Sequence, residues 1–173
     1  ENRIAREGDG LKIALSTLNT GRLAVMASAV GAAKWSTKIA REWAVERAQW
    51  GRSIGKHDAV AQMVAFIAGS AFGMEAVLDG VGRLADDKAN DVRTEAAMSK
   101  VYGEELAWRV VDTLVQLRGG RGYETAASLK ARGEKPVPVE QLMRDMRVNR
   151  IFEGSSEIMH LLIAREAVDQ HLQ

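Results

Sequence analysis

Glu140-Gln141-Leu142-Met143-Arg144-Asp145-Met146-Arg147-Val148-Asn149-Arg150-Ile151-Phe152-Glu153-Gly154-Ser155-Ser156-Glu157-Ile158-Met159-His160-Leu161-Leu162-Ile163-Ala164-Arg165 is the stretch whose reading decides the fold. Apolar residues recur every three or four positions on both sides of Phe152-Glu153-Gly154-Ser155-Ser156, which predicts two helices broken by a short turn. Glycine lets backbone approach a ligand closely. Two hydroxyls at the start of the next helix can cap its free N–H groups or meet a polar ligand edge. Glu153 then stands where a helix ends, off any solvated helix face. By residue chemistry alone, a Glu beside such a cap is either a helix-start residue or a base.

Working outward, helical periodicity extends over most of the 173 residues. It predicts helices over about 16–48, 57–87, 92–117, 139–150 and 156–171. Gly8-Asp9-Gly10 is a turn signal, and Leu11 to Leu15 is too short to assign. Gly51 to Lys56 breaks the first helix, 86–91 is a polar loop, and the third helix ends in glycines, as helices commonly do. Between Gly119 and Pro138 lie four glycines and both prolines, which argues against a packed helix there. The expectation is an all-α fold, an up-and-down helical bundle of three long helices and a shorter C-terminal pair. Residues 1–17 are expected as a lead-in and 18–173 as the bundle domain. The long apolar stripes on 16–48 and 57–87 exceed what a small bundle buries, so a face is left for partners.

Composition narrows the function classes. With 24 basic and 23 acidic residues the net charge is +1, so nothing favours nucleic acid or an anionic membrane. The chain has no cysteine, which excludes disulfides and thiolate metal sites. No uninterrupted apolar run approaches the roughly 18 residues of a membrane span. His57 and His160 lack paired carboxylates at ligand spacing, and no metal is assigned. The first residue is Glu1, and a cut piece of a longer chain is expected.

Four motifs in order carry a resemblance: Asn19-Thr20-Gly21-Arg22; Glu46-Arg47-Ala48-Gln49-Trp50-Gly51; Gln116-Leu117-Arg118-Gly119-Gly120-Arg121-Gly122-Tyr123; and Arg144-Asp145 with Arg150-Ile151-Phe152-Glu153-Gly154-Ser155-Ser156-Glu157-Ile158 and Ala164-Arg165-Glu166. Together they resemble the C-terminal helical domain of the flavin-dependent acyl-CoA dehydrogenases. Glu95-Ala96-Ala97-Met98-Ser99-Lys100 and Phe152-Glu153-Gly154 lean toward the very-long-chain branch. The resemblance implies FAD as cofactor and α,β-dehydrogenation of an acyl-CoA to its trans-2-enoyl-CoA, as in fatty-acid β-oxidation. It also implies a homodimer or homotetramer, an electron-transfer flavoprotein as partner, and a bacterial cytoplasmic or mitochondrial matrix setting. No nucleic acid and no transmembrane segment are expected.

Residue by residue, members of the family place the base either at the Glu of Phe-Glu-Gly or one residue before the Arg of the first motif. Here that second position is Gly21, so the resemblance selects Glu153 as catalytic. Arg22, Gly154 and Arg165 match positions near the acyl-CoA. Arg47, Gln49 and Trp50 match positions that reach the FAD of a neighbouring subunit, Arg47 at its pyrophosphate. Gln116, Gly119 and Gly120 match the adenosine side of a flavin, and Ser155 and Glu157 flank the cofactor. Gln49 stands where Thr or Ser is frequent, Trp50 where Phe is, and Asp58 where many members carry Gln. The segment 124–135 is longer than the corresponding loop in most members. A rival reading, open for the piece alone, is a helical oligomerisation module without activity.

Overall fold

The computed structural model describes residues 3–169. Its elements run in the order α1 (Gly10–Glu46), a two-residue antiparallel hairpin β1 (Ala48–Gln49) and β2 (Arg52–Ser53), a 3-10 turn (Ile54–Lys56), α2 (Asp58–Asp86), α3 (Arg93–Arg118), α4 (Gly120–Tyr123), α5 (Ala126–Ala131), α6 (Val139–Asn149) and α7 (Ser156–Asp169). The all-α bundle expected from periodicity is the fold found. Helices α1, α2 and α3 pack side by side, α6 and α7 lie against α3, and α3 is thereby the central element.

The core forms where the apolar stripes of these helices meet. Met26, Ala29, Ala33 and Ala40 of α1 face Ile67 and Met74 of α2 and Val110, Val111 and Leu114 of α3. α6 adds Val139, Leu142 and Met146, at the three-to-four spacing of one helix face. A smaller cluster joins Ala97 and Val101 of α3 to Met159 of α7. α1 and α3 approach so closely that a side chain at Gly103 would strike Met26 Sδ. α2 is the least covered of the three long helices: only Ile67, Ser70, Ala71 and Met74 are buried, and Phe72 is 76% exposed.

Three expectations need correction. α1 begins at Gly10, inside the stretch expected as a lead-in, because its first turns carry no breaker after Gly10. Leu11 and Leu15 nevertheless stay exposed, so no core stripe marks them. The break expected over Gly51 to Lys56 starts earlier, after Glu46, and opens with the hairpin: Trp50 (φ 51°) and Gly51 (φ 77°) both take the left-handed conformation of a tight two-residue turn. The stretch 119–138 does contain a packed helix, α5, whose Leu129 is fully buried. Thr125 Oγ1 caps it by accepting from Ser128 N–H at 3.2 Å, Gly133 (φ 77°) ends it, and both prolines lie beyond. Arg121 clamps Glu134 through Nε at 2.5 Å and Nη2 at 3.0 Å, closing this segment on itself. α1 and α2 are each long and apolar enough to cross a membrane by length and composition only, a test that the core helix of a bundle also passes, and this does not overturn the expectation of no transmembrane segment. Alanine and glycine spread that apolar content among polar residues, which a search for uninterrupted runs overlooks. The last expected helix is described to Asp169; its residues 170–171 lie outside the described residues.

Candidate active site

The turn between α6 and α7 is built on two successive left-handed residues, Glu153 (φ 55°) and Gly154 (φ 91°). The second must be glycine, since a side chain there would also strike Met159 Cε. The first is not glycine, and a non-glycine residue in this region costs on the order of 1–3 kcal/mol unless its surroundings hold it. Those surroundings are the turn's own bonds and α3. Ser156 N–H donates to Arg150 O at 3.2 Å and Met159 N–H to Ser155 O at 2.9 Å. From α3, the fully buried Lys100 Nζ donates to Gly154 O at 2.6 Å.

This conformation lays the Glu153 carboxylate on α1. A side-chain carbon at Gly21 would fall within 2.9 Å of Glu153 Oε2, so the bare helix surface at Gly21 is the carboxylate's seat. Glu153 Oε2 is buried and makes no hydrogen bond to any described residue. Arg22, next along α1, is 7% exposed; its Nη1 donates to Asn19 Oδ1 at 3.2 Å while its Nε is left without a partner. Burial lowers the Arg22 pKa and the Glu153 charge pulls it back up, which puts the two side chains within electrostatic reach. Glu153 Oε2 is thus a buried acceptor without a hydrogen-bond donor among the described residues, beside a buried cation.

Arg22 also lines a cleft of about 780 Å³ between the first half of α1, the start of α3 and α7. Leu11 and Leu15 supply its apolar wall, and Lys12, Arg93 and Glu166 its charged rim. Leu11, Lys12, Leu15 and Arg93 are participants that sequence reasoning missed. The available signal was Leu11, Leu15, Leu18 and Arg22 at spacings of four, three and four, one helix face running into the first motif. Leu162 and Glu166 of α7, rather than Arg165, line this cleft; Arg165 is exposed on the same helix. Ser155 and Glu157 lie at the first turn of α7, beside Glu153. The Glu157 carboxyl is held below the usual range by its own backbone N–H and by the Ser155 hydroxyl.

The remaining expected residues are elsewhere. Arg47, Gln49 and Trp50 occupy the hairpin at the far end of α1, which Glu46 reaches 25 residues after Gly21, about 37 Å at the helical rise per residue. All three are exposed, Trp50 at 82%. His57 braces the hairpin: Arg52 Nη2 donates to its Nδ1 at 3.1 Å, its Nε2–H donates to Gln49 O at 3.2 Å, and its ring meets Trp50 edge-on at 5.5 Å. Gln116, Gly119 and Gly120 share that end, because Arg118 stacks on Trp43, 4.6 Å from the ring centroid. A side chain at Gly119 or Gly120 would meet nothing within 4 Å, and Gln116 opens on a groove with Arg109 and Asp112. This end offers an exposed cation, an exposed aromatic ring and glycine backbone open to approach, a set that fits a flavin nucleotide lying outside the chain. It cannot close on a flavin beside Glu153 within one copy.

Residues 8–168 match the family model described as the acyl-CoA dehydrogenase C-terminal domain. The chain belongs to the acyl-CoA dehydrogenase family. It is 61% identical to a Mycobacterium tuberculosis protein named probable acyl-CoA dehydrogenase FadE10, over 99% of this chain and 26% of that one. To the bovine mitochondrial very long-chain specific acyl-CoA dehydrogenase it is 34% identical, over 95% of this chain and 24% of the relative. A Bacillus anthracis acyl-CoA dehydrogenase solved in complex with FAD superimposes with a TM-score of 0.84 at 26% identity, covering 95% of this chain and 30% of that structure. The chain therefore spans about a quarter of the length of the curated relatives it matches, and it corresponds to the family's C-terminal domain.

Proposed function

We propose that this domain supplies the base wall of a flavin-dependent acyl-CoA dehydrogenase, with Glu153 as the base. The observation that carries the reading is the Glu153 carboxylate seated on Gly21, buried at Oε2 and left without a donor. A carboxylate so placed has a free lone pair for a carbon acid, here the α-proton that the thioester carbonyl makes acidic. The electron pair of the broken α C–H bond forms the new double bond as the β-carbon gives up a hydride. FAD, held largely by regions outside this chain, would supply the acceptor for that hydride. Arg22 keeps positive charge beside the base, Gly154 gives it its turn, and the 780 Å³ cleft beyond Arg22 is where we seat part of the acyl-CoA; Arg165, exposed on α7 next to Glu166 of the cleft, we assign to the same substrate.

At the opposite end, Arg47, Gln49, Trp50, Gln116, Gly119 and Gly120 face outward, and we assign them to the flavin of a neighbouring copy. Ser155 and Glu157 flank the flavin of their own. An electron-transfer flavoprotein as electron acceptor, a homodimeric or homotetrameric assembly and a bacterial cytoplasmic setting complete the proposal. The test is Glu153→Gln in the full-length, flavin-loaded enzyme. It keeps size and hydrogen-bonding shape, so flavin content should be unchanged, while reduction of the flavin by acyl-CoA should fall by at least about 10⁴, the top of the general-base range. Reduction at near wild-type rate would move the search for a base to Glu104 or Glu157.

A second reading, assembly, rests on α2, where Ala61, Ala65, Gly69, Phe72 and Ala76 form an exposed face at helical spacing. Assembly and base supply are compatible roles, and colour separates them: a purified assembly domain is colourless, a holoenzyme yellow.

A further inference from the structure

Behind the Glu153 turn runs a buried polar chain that the reaction itself does not call for. Lys100 and Glu104, one turn apart on α3, form an ion pair with both side chains fully buried. Lys100 Nζ also donates to Gly154 O at 2.6 Å. The other oxygen of Glu104 accepts from Ser156 Oγ at 2.8 Å, and Ser156 Oγ accepts from Arg150 Nε at 3.3 Å. Arg150 is in turn 3.5 Å from Glu105 Oε1. The turn is therefore held at both ends and at Gly154, by one helix, through the buried Lys100, Glu104 and Ser156 and, at the outer end, the half-buried Arg150.

Such an arrangement is a poor way to gain stability. Desolvating an ammonium and a carboxylate costs several kcal/mol each, and a well-packed apolar pair of the same size usually serves as well or better. What the charged pair adds is direction. Lys100 points a donor at one carbonyl, that of the residue following Glu153, and Glu104 keeps the lysine from swinging elsewhere while gripping Ser156. Glu153 and Gly154 hold left-handed backbone, and an anchored Gly154 carbonyl resists the peptide rotation by which a strained turn would relax.

We infer that Lys100, locked by Glu104 and Ser156, is a positioning residue that fixes the Glu153 turn so that the carboxylate stays seated on Gly21. This rests on the assignment of Glu153 as the base. Lys100 touches neither substrate nor flavin in this scheme; it acts through the Gly154 peptide.

The test uses the full-length, flavin-loaded enzyme and reads flavin bleaching by acyl-CoA in single turnovers, so that only folded, loaded molecules count. Lys100→Met combined with Glu104→Gln removes the anchor without stranding a buried charge, and the amide oxygen that replaces the carboxylate still accepts from Ser156. Bleaching should slow by about 10- to 100-fold, the penalty of displacing a reacting group by up to an ångström, while the acyl-CoA concentration at half-saturation stays within about threefold. A purely structural role would instead lower Tm and leave the bleaching rate of the loaded fraction unchanged, and that result overturns the inference. Should the double variant fail to fold, Ser156→Ala decides: a slowing of threefold or more at unchanged half-saturation supports it, an unchanged rate overturns it. Glu153→Gln runs alongside. If that variant bleaches normally, the base assignment has failed; if it is inactive while the Lys100 and Ser156 variants are fully active, the positioning role alone has failed.

Discussion

A carbon added to Gly21 would sit 2.9 Å from Glu153 Oε2 and 3.1–3.2 Å from the rest of that carboxylate, so the missing side chain at one position is the space used by the other. Alanine in place of glycine inside a helix ordinarily stabilises by about 0.5–1 kcal/mol. Gly21→Ala should therefore leave Tm unchanged or raised. It should lower the rate of flavin reduction in the full-length enzyme by about tenfold or more, because the carboxylate must give way by several tenths of an ångström. Thermal denaturation and stopped-flow reduction on the same sample check both halves; an unaffected rate would mean that the carboxylate works from another seat.

The same geometry predicts a transplant. Gly21→Glu combined with Glu153→Ala moves the carboxylate from the turn to α1, and the alanine clears the space the new side chain needs. Activity should recover part of what Glu153→Ala alone loses. No recovery, in a variant that still binds flavin, would place the α-proton out of reach of α1.

Assembly is expected from the uncovered side of α2, where Phe72 is 76% exposed among small residues. Light scattering on the domain at micromolar concentration should give the mass of a dimer or tetramer. A monomer mass counts against it, and Phe72→Glu should produce that monomer if this face is the contact.

Flavin retention should fail in the isolated domain. The residues assigned to flavin fall in two sets, one by Gly21 and one at the hairpin 25 residues further along α1, and at about 1.4 kcal/mol per tenfold in affinity, losing most contacts leaves weak binding. Stoichiometric FAD in the purified domain would be the contrary result.

The buried pair also carries a pH signature. Burial pushes the Glu104 carboxyl above its usual range, against the pull of Lys100 and Ser156 and with a small push from Glu105; Arg150 stands behind Ser156. A carboxyl raised in the folded state binds its proton more tightly there than in the unfolded chain. Its contribution to stability is therefore greatest at low pH and declines as pH rises from the ordinary carboxylate value to the folded one. The Lys100→Met, Glu104→Gln double variant should lack that decline, so wild type loses ground to it across this window. A constant difference in Tm from acid to neutral pH would rule the effect out.

How much of this was legible in the sequence differs by residue. Helices α2 and α3 and the Gly119 stop were readable within a residue or two because their apolar periodicity and breakers agree. Glu153 was readable as a candidate because a carboxylate beside Gly-Ser-Ser interrupts a helical pattern. Its contact with Gly21 was not, since 132 residues separate the two and only the packing of α1 beside α3 and α7 joins them. Lys100 and Glu104 stand four residues apart, a spacing that solvated helix pairs share; that both are fully buried depends on which face of α3 the later helices cover. α5 was hidden because glycines and prolines flank a stretch, Ala126–Ala131, too short to show a period.

The unbroken length of α1 makes it a rigid spacer as well as a packing element. Each residue advances a helix by about 1.5 Å and turns it by about 100°. Deleting a single residue between Arg22 and Arg47 would swing the Trp50 hairpin to another side of the bundle while leaving the Gly21 seat intact. Sequences that vary in length should therefore do so in the loop between α2 and α3, or around α5, and never inside this helix. The spacing between the seat of one carboxylate and the outward tip at Trp50 is set by a count of residues.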